Sequence, residues 1–374
     1  MLKQKTLKIA YPTKLILLPL FLIFLLFAPG HWITWSYPFS PFAAVSILRG
    51  EISAEIGQDF VGFQRMVQHK DPYTPIDGSI IGSSEGLITT HPPTAFLLTA
   101  PLAFLPLKVA VSIWAWCMLA ATMVSIKLFG HSWSTAVCVT IASILWMPTA
   151  GSIGQLTPFW LLGCACAYHY RNRNPFAAGM FIALASLTKY LPAIFMAIFF
   201  LRRKWSAFLG FGLVWISTLV AVFLISPNVI QQMIQSNKTS LVENTLRADN
   251  SSLLFRAYEI ADWFGILFVL TFLALIFLWN KSEYHNELEI TPTLWHIITF
   301  LSVALLPITW FYSLFPLLPT VLFLMQKKGW TKIVAWLFLL IPPYFPVINL
   351  IILGVGLIVS PMKLDKKFIQ SSVA

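Results

Sequence analysis

The sequence predicts an all-α polytopic membrane protein, and three observations support this class. Of the 374 residues, 58% are hydrophobic and only 10% are charged, and the mean hydropathy is +0.78. Apolar runs recur from end to end, with short polar breaks between them. A soluble domain of this composition would expose large apolar patches to water. We therefore expect one membrane domain over residues 1–374, built of helices packed on helices within lipid.

The basic residues support a membrane location and exclude nucleic acid as a partner. The formal net charge is +11, but the Lys and Arg residues cluster beside apolar runs. The clusters are Lys3, Lys5, Lys8 and Lys14; Arg171 and Arg173; Arg202, Arg203 and Lys204; Lys327, Lys328 and Lys332; and Lys363, Lys366 and Lys367. This is the positive-inside pattern of a membrane protein, whereas a nucleic-acid site would gather basic residues on one water-facing surface. We expect the protein to lie in the inner (plasma) membrane.

The apolar runs place the elements in order. A first span from about Leu15 to Trp35, preceded by lysines, puts the N-terminus in the cytoplasm. Residues 36–93 then form a structured first external loop with short amphipathic helices. Later runs cover residues 109–127, 133–150, 155–170, 175–201, 206–225, 263–280, 294–307, 311–326, 333–343 and 345–360. The bundle therefore has roughly 10–12 transmembrane helices, several of them short or interrupted by proline.

The basic clusters also predict the topology. If Arg171 and Arg202 are both cytoplasmic, the run at 175–201 must turn back, and it divides at Lys189-Tyr190-Leu191-Pro192 into two half-helices. Residues 94–106 then enter the outer leaflet without crossing. In the rival arrangement residues 94–106 cross and 175–201 is one long helix; we favour the first. Both place a second large loop, residues 226–262, outside.

The stretch GQDFVGFQRMVQHKDPYTPIDG, residues 57–78, concentrates charge in a chain that has little. Asp59 lies soon after the first span, where a partly dry interface can tune a carboxylate to act as a general base for a hydroxyl. The competing interpretation is a solvated loop acid or a helix cap. Asp71, within KDPYTP, is predicted to open a proline-guided turn.

Two further residues are candidates for binding a phosphate. His91 precedes two prolines at the entry to the membrane, although it could equally be an interfacial residue that caps the next segment. Lys189 lies inside an apolar run, where an ammonium normally needs a partner or an ion to bind. The alternative for Lys189 is a side chain that extends to the headgroup region.

Other polar residues fit a sugar. Gln155 begins a span, where its amide can hydrogen-bond a sugar hydroxyl or cap its own helix. The second loop contributes Asn250, Ser252 and Arg256, which suit a sugar phosphate but are also ordinary loop residues. The sequence shows no phosphate-cradling glycine loop and no zinc-ligand spacing, and its four cysteines lie in apolar runs. We expect no metal and no cofactor.

The order of the motifs resembles a known class. DFVGF with DPY, then HPPTAFLLTAPLAFLP, GQLTPFWLL, AAGMFIALASLTKYLPAIF, DNSSLLFRAY and LLPITWFYSLFPLLP follow one another along the chain, and the resemblance covers roughly residues 10 to 330. This series resembles the polyprenyl-phosphate-sugar-dependent glycosyltransferases of the GT-C class. It is most similar to glycosyltransferase family 87, which includes bacterial alpha-mannosyltransferases. Each motif alone is weak, and the order carries the resemblance.

The resemblance implies a GT-C-like bundle and an inverting transfer on the outer membrane face. A hexose or pentose, with mannose favoured, would pass from a polyprenyl-phosphate sugar donor to a hydroxyl of a glycolipid or glycan acceptor. Asp59 matches the catalytic base in the first external loop of such enzymes. Lys189 matches the family's lysine before a proline, Gln155 its Gly-Gln, and Asn250 with Ser252 its Asn-x-Ser.

Two positions depart from the family pattern. Relatives often have Tyr-Pro-Pro where this chain has His91-Pro92-Pro93, and some have a histidine where Trp310 and Tyr312 stand here. In the predicted site Lys189, His91 and Arg256 hold the donor phosphate, and Tyr312 joins the sugar or acceptor contacts. Two other functions compete: a transporter or flippase of lipid-linked sugars, indicated by the broken helices, and a non-catalytic assembly subunit.

Overall fold

The structure, a computed structural model, describes residues 41–51, 54–75, 91–146, 155–236, 289–305, 311–327, 329–341 and 346–359. Within these ranges the regular structure is helical and contains no strand, so the predicted all-α class is confirmed for this part of the chain. The predicted spans at 15–35 and 263–280, and most of the second external loop, lie outside the described residues.

The helices follow the predicted apolar runs closely. In chain order they are α1 (Pro41–Leu48), α2 (Ala54–Val67), α3 (Pro93–Thr99), α4 (Leu107–Leu128), α5 (Trp133–Trp146), α6 (Thr157–Tyr170), α7 (Pro175–Ser186), α8 (Met196–Leu201), α9 (Trp205–Ile225), α10 (Pro292–Ala304), α11 (Leu318–Met325), α12 (Trp330–Leu340) and α13 (Pro346–Val359). Three 3₁₀ segments lie between them: Ala100–Leu102, Leu191–Phe195 and Phe311–Leu317.

Helices α4 and α9 are long and apolar enough to cross a membrane. At 1.5 Å per residue, each is roughly 30 Å long, which is about the thickness of a bilayer's hydrocarbon core. Much of the surface of α9 is exposed and apolar: Leu209 is 69% exposed, Ile216 65% and Leu224 75%. In water this surface would be costly, because each apolar side chain would have to be hydrated.

Residues 94–106 contact α2 at two positions. The Thr99 hydroxyl donates to the backbone carbonyl of Asp59 at 3.3 Å, and the Gln64 side-chain amide donates to the carbonyl of Ala103 at 3.2 Å. Helix α3 with the 3₁₀ turn Ala100–Leu102 is only about 15 Å long, half of what a crossing needs. This geometry agrees with a segment that enters and returns, as the favoured arrangement predicts.

The run at 175–201 is broken as predicted. Helix α7 ends at Ser186, residues 187–190 are non-helical, and the chain resumes as the 3₁₀ segment Leu191–Phe195 before α8. Pro192 lies in the first turn of that segment, where its missing N–H costs no hydrogen bond. The rival prediction of one long helix is therefore wrong.

Helices α7 and α9 pack with their backbones close together because glycine removes the side chain at the crossing. A Cβ on Gly179 would stand 1.9 Å from the carbonyl oxygen of Ala207, which no packing rearrangement of side chains could relieve. Small residues at helix crossings are the usual means of close approach in membrane bundles. Helix α9 is thereby packed closely against α7, and α9 extends from one end of the bundle to the other.

The bundle has two chemically different ends. We call the end that contains Asp59, His91, Gln155 and residues 187–190 the site end. The opposite end, the basic end, contains the turns before α7 and α9: Arg171 lies over the ring of Tyr168 at 3.8 Å, and the Lys204 ammonium donates to the Asn172 side-chain oxygen at 2.8 Å. Helices α4 and α9 run between the two ends.

The last third of the described chain packs against α6 to α8 in one buried core. Helix α10 starts at the basic end, where Arg171 Nε donates to the carbonyl of Ile290 at 2.8 Å. Beyond α10, the 3₁₀ segment Phe311–Leu317 contains Pro316 and leads into α11. The predicted interruption in LLPITWFYSLFPLLP is thus confirmed for its described residues.

Candidate functional site

A buried Asp–His pair lies at the centre of the site end. His91 Nδ1 lies 2.8 Å from Oδ1 and 3.0 Å from Oδ2 of Asp59. The Asp59 side chain is 0% exposed and that of His91 is 10% exposed. A buried carboxylate is stable only with hydrogen-bond or charge partners, and the imidazole is one such partner. Asp59 lies within α2, so the interpretation as a helix cap or solvated loop acid is wrong.

The backbones on both sides of the pair are held by hydroxyl groups. Thr99 donates to the Asp59 carbonyl, as described above, and the hydroxyl of Tyr73 donates to the carbonyl of His91 at 3.0 Å. Tyr73 is itself fixed, because its backbone N–H donates to Asp71 Oδ1 at 2.9 Å. The predicted turn at Asp71 is confirmed, and it places Tyr73 against His91.

Tyr73 is a neutral hydroxyl donor in this position. Burial raises the pKa of Tyr73, and the nearby Tyr190, Asp59 and Asp71 raise it further. The hydroxyl therefore stays protonated at any pH at which the protein works. The same interactions show that Tyr190, from the break after α7, and Asp59, from α2, both lie within electrostatic range of Tyr73.

The break after α7 is tied to this pair through α3. The hydroxyl of Thr94 donates to the carbonyl of Leu187 at 2.9 Å, a carbonyl that the broken helix leaves without its usual helical partner. Lys189, two residues on, is partly buried. The next residue, Tyr190, stacks on Trp215 of α9 with ring centroids 5.8 Å apart. Sequence reasoning placed Asp59 and Lys189 on one side, and the structure brings their segments to the same end.

Glycine permits the close contact between α2 and α3. Gly62 lies one turn after Asp59, and a Cβ there would stand 3.0 Å from the ring of Phe96. Phe96 in turn packs beside Tyr73, with ring centroids 5.7 Å apart. A Cβ at Gly62 would require the Phe96 ring of α3 to shift by a few tenths of an ångström.

Gln155 is buried at the start of α6 and has an unused acceptor. The residue is 2% exposed, and its Oε1 has no hydrogen-bond partner among the described residues. The hydroxyl of Thr157 and the indole N–H of Trp114 are likewise buried and unpaired within this part of the structure. The N-cap of α6 is Leu156, and no side chain caps the helix, so the capping interpretation of Gln155 is wrong.

The remaining predicted site residues cannot be placed. Asn250, Ser252 and Arg256 lie outside the described residues. Tyr312 belongs to the 3₁₀ segment Phe311–Leu317, but its side chain is not among those described. In the described part of the chain, no group of three or more His, Cys, Asp or Glu side chains could hold a metal ion.

Sequence reasoning missed three features of the site. It did not pair His91 with Asp59, and it gave no role to Tyr73 or Tyr190. A signal for Tyr73 was present in Asp71-Pro72-Tyr73, since an Asp-opened turn directs the next side chains to defined positions. The contact between His91 and Asp59 had no local signal, because the two residues are 32 positions apart.

The comparison with known families decides the class of protein. The model of glycosyltransferase family 87 matches residues 90–315, more than half of the chain. The chain belongs to glycosyltransferase family 87. It is therefore a glycosyltransferase, as the resemblance of its motifs predicts, and its family is membrane-associated. No curated protein and no solved structure matches it.

The extent of the family 87 match separates the site into two parts. His91, Gln155 and Lys189 lie inside the matched residues, whereas Asp59 and Tyr73 precede them. The hydrogen bonds of His91 to Asp59 and of Tyr73 to His91 connect the two parts. The candidate base of this family 87 glycosyltransferase is thus held by a residue of the matched segment.

Proposed function

We propose that this family 87 glycosyltransferase moves a hexose or pentose, with mannose favoured, from a polyprenyl-phosphate sugar to a hydroxyl of a glycolipid or glycan acceptor. The observation that carries the proposal is the buried Asp59–His91 pair beside the break at Lys189. The pair supplies a carboxylate base, and the break supplies a cation at the same end. These are the two groups that an inverting displacement at a sugar phosphate needs.

Asp59 would act as the general base. The acceptor hydroxyl passes its proton to the Asp59 carboxylate as its oxygen attacks the anomeric carbon of the sugar from the face opposite the phosphate. The bond between that carbon and the phosphate oxygen breaks, and polyprenyl phosphate leaves with the electron pair. Because Asp59 is fully buried, the acceptor reaches it only when the residues that cover it move aside.

Lys189 would stabilise the departing phosphate. An ammonium close to the leaving oxygen offsets the charge that develops there, and it does so strongly where water is excluded. Arg256, from the second external loop, is proposed as a second cation. That His91 also contacts the phosphate remains a prediction, and the experiment on His91 described below tests it.

Gln155 would bind a hydroxyl of the donor sugar or the acceptor. Its buried Oε1 accepts no hydrogen bond from the described residues, and a sugar hydroxyl is a suitable donor. Thr157, two residues on, and Trp114, which packs in one cluster with Leu156, are additional buried polar groups. Asn250, Ser252 and Tyr312 complete the proposed sugar and acceptor contacts.

We place the enzyme in the inner (plasma) membrane as a multi-pass protein with a cytoplasmic N-terminus. The exposed apolar surface of α9 suits contact with lipid, and the arginines and lysines of the basic end suit the cytoplasmic face. The site end, with Asp59, would then open on the outer face, where a lipid-linked donor enters sideways from the bilayer. A transporter of lipid-linked sugars is the competing function, because interrupted helices also line transport pathways.

The test is transfer by the purified protein in lipid vesicles. Radiolabelled polyprenyl-phosphate mannose, and in separate reactions the arabinose and glucose donors, are offered with a membrane glycolipid extract. We expect labelled product and released polyprenyl phosphate with one donor. Asp59→Asn should lower kcat by about 10²-fold or more.

Glu51→Gln is the matched control, because Glu51 is an exposed acidic residue that lies shortly before α2, the helix that carries Asp59. It should leave turnover unchanged. Near-normal turnover by Asp59→Asn would remove the base assignment. Movement of intact donor across the vesicle without bond cleavage would establish the transporter instead.

A further inference from the structure

We propose that His91 is a positioning residue that holds the Asp59 carboxylate through Nδ1, and that Tyr73 fixes His91 for this task. The inference rests on the proposed function, since it gives Asp59 the role of base. It differs from the role that sequence reasoning gives to His91, which is contact with the donor phosphate.

The geometry identifies which ring nitrogen of His91 donates a hydrogen bond to Asp59. An ionised carboxylate only accepts hydrogen bonds, so the Nδ1 of His91 must carry the hydrogen that bridges 2.8 Å to Oδ1 and 3.0 Å to Oδ2. This bond fixes the tautomer and the plane of the ring. It also restricts rotation of the Asp59 carboxylate about its own side-chain bond, which sets the direction of its remaining lone pairs.

The backbone around His91 is restrained independently of the His91 side chain. A residue that precedes proline is confined to extended conformations, and Pro92 after it is itself extended, with φ −63° and ψ 151°. The hydroxyl of Tyr73 then holds the His91 carbonyl at 3.0 Å. The backbone of His91 is therefore restrained by the proline that follows it and by a residue of the turn at Asp71.

The pair is also restrained from the Asp59 side. Thr99 of α3 donates to the Asp59 carbonyl, and α3 begins at Pro93, two residues after His91. The same short segment thus contacts both the backbone and the carboxylate of Asp59. Such a closed set of contacts is the arrangement by which a reactive group is kept in a productive orientation.

Substitutions of His91 distinguish its two nitrogens. The side-chain amide of Asn occupies the position of Nδ1, whereas that of Gln occupies the position of Nε2. A positioning role through Nδ1 predicts that His91→Asn keeps kcat within about threefold, while His91→Gln and His91→Ala lower it by about 10–100-fold. The KM for the polyprenyl-phosphate donor should change by less than about threefold in all three variants, since positioning acts on a step after binding.

Tyr73→Phe tests the second half of the inference. It keeps the ring against Phe96 but removes the hydroxyl that holds the His91 carbonyl. We expect a loss in kcat of about tenfold, with an unchanged donor KM. The matched control for His91→Asn is His69→Asn, because His69 is exposed and has φ 55°, a conformation that Asn also adopts. The His69→Asn variant should behave as the parent protein.

Each outcome bears on one proposal. A raised donor KM with unchanged kcat in His91→Gln and His91→Ala would show a phosphate contact and overturn the positioning role. Full activity of His91→Ala beside an inactive Asp59→Asn would also overturn it, while the base assignment would stand. Full activity of Asp59→Asn would overturn the base assignment itself. Thermal unfolding in detergent verifies that Asn and Gln variants are equally folded, and Tyr73→Phe gives an independent reading if neither His91 variant folds.

Discussion

At the scale of single residues, the site contains a buried carboxylate that has a hydrogen-bond partner and buried polar atoms that have none among the described residues. Asp59 is fully buried but has His91 within hydrogen-bond distance. Gln155 is almost as deeply buried and leaves its Oε1 unpaired among the described residues. A buried polar group without a partner destabilises the folded chain by about 1–3 kcal/mol. This cost is offset when a bound ligand donates a hydrogen bond to the group.

Replacement of Gln155 should therefore affect binding and stability in opposite directions. Gln155→Met keeps the length of the side chain and removes the acceptor that has no partner among the described residues. We expect the KM for the substrate that it contacts to rise by about tenfold, while the melting temperature stays equal or rises. Steady-state kinetics and thermal unfolding in detergent measure the two effects.

Thr94→Val is the comparison for this experiment. Thr94 is also buried, but its hydroxyl donates to the carbonyl of Leu187 at 2.9 Å. Its removal leaves that carbonyl unpaired, so the melting temperature should fall. A clear loss of stability in Gln155→Met would mean that Gln155 has a structural role instead.

At the scale of helices, glycine decides how closely the elements approach. Helices α7 and α9 meet at Gly179, where a Cβ would stand 1.9 Å from a backbone oxygen of Ala207. Position 212 on α9 is different, because a Cβ there would meet nothing within 4 Å. The same residue type thus serves packing at one position and has no packing role at the other.

Two glycine variants test this difference. Gly179→Val should force α7 and α9 apart and destabilise the protein by about 3 kcal/mol or abolish its insertion. Gly212→Ala should leave the packing intact and raise stability by up to about 1 kcal/mol, because alanine favours the helix more than glycine does. Thermal unfolding of the purified proteins measures both. Equal stabilities would contradict the close packing at Gly179.

The elements themselves were largely predictable, and their junctions were predictable where proline or glycine marked them. The break at Lys189–Pro192 followed from the requirement that Arg171 and Arg202 share a side. The short segment at 94–106 followed from its prolines and its length. Neither the 3₁₀ form of residues 191–195 nor the closeness of α7 to α9 could be predicted, since both depend on what packs against them.

At the scale of the whole molecule, the two ends of the bundle are predicted to lie on opposite sides of the membrane. Lys70 and Tyr190 are exposed at the site end, and Arg173 is exposed at the basic end. Helices α4 and α9 separate them by about the thickness of a bilayer core. A sidedness measurement therefore tests the fold and the proposed outer-face chemistry together.

The measurement uses single cysteines in a variant that lacks Cys117, Cys138, Cys164 and Cys166. A membrane-impermeant maleimide should label Lys70→Cys and Tyr190→Cys from outside intact cells. Arg173→Cys should react only after the cells are permeabilised. Labelling of positions 70 and 190 from opposite sides would end the proposal that Asp59 and Lys189 serve one site.

The sequence by itself determined the helical class, the order of the apolar elements, the interrupted segments and the residues able to do chemistry. These follow from composition and local pattern, which any stretch of chain carries within itself. Only the tertiary structure decided that His91 contacts Asp59 and that Thr94 contacts Leu187, 93 residues away. Contacts between distant residues depend on how α2, α3 and α7 pack, and that packing is a property of all their side chains at once.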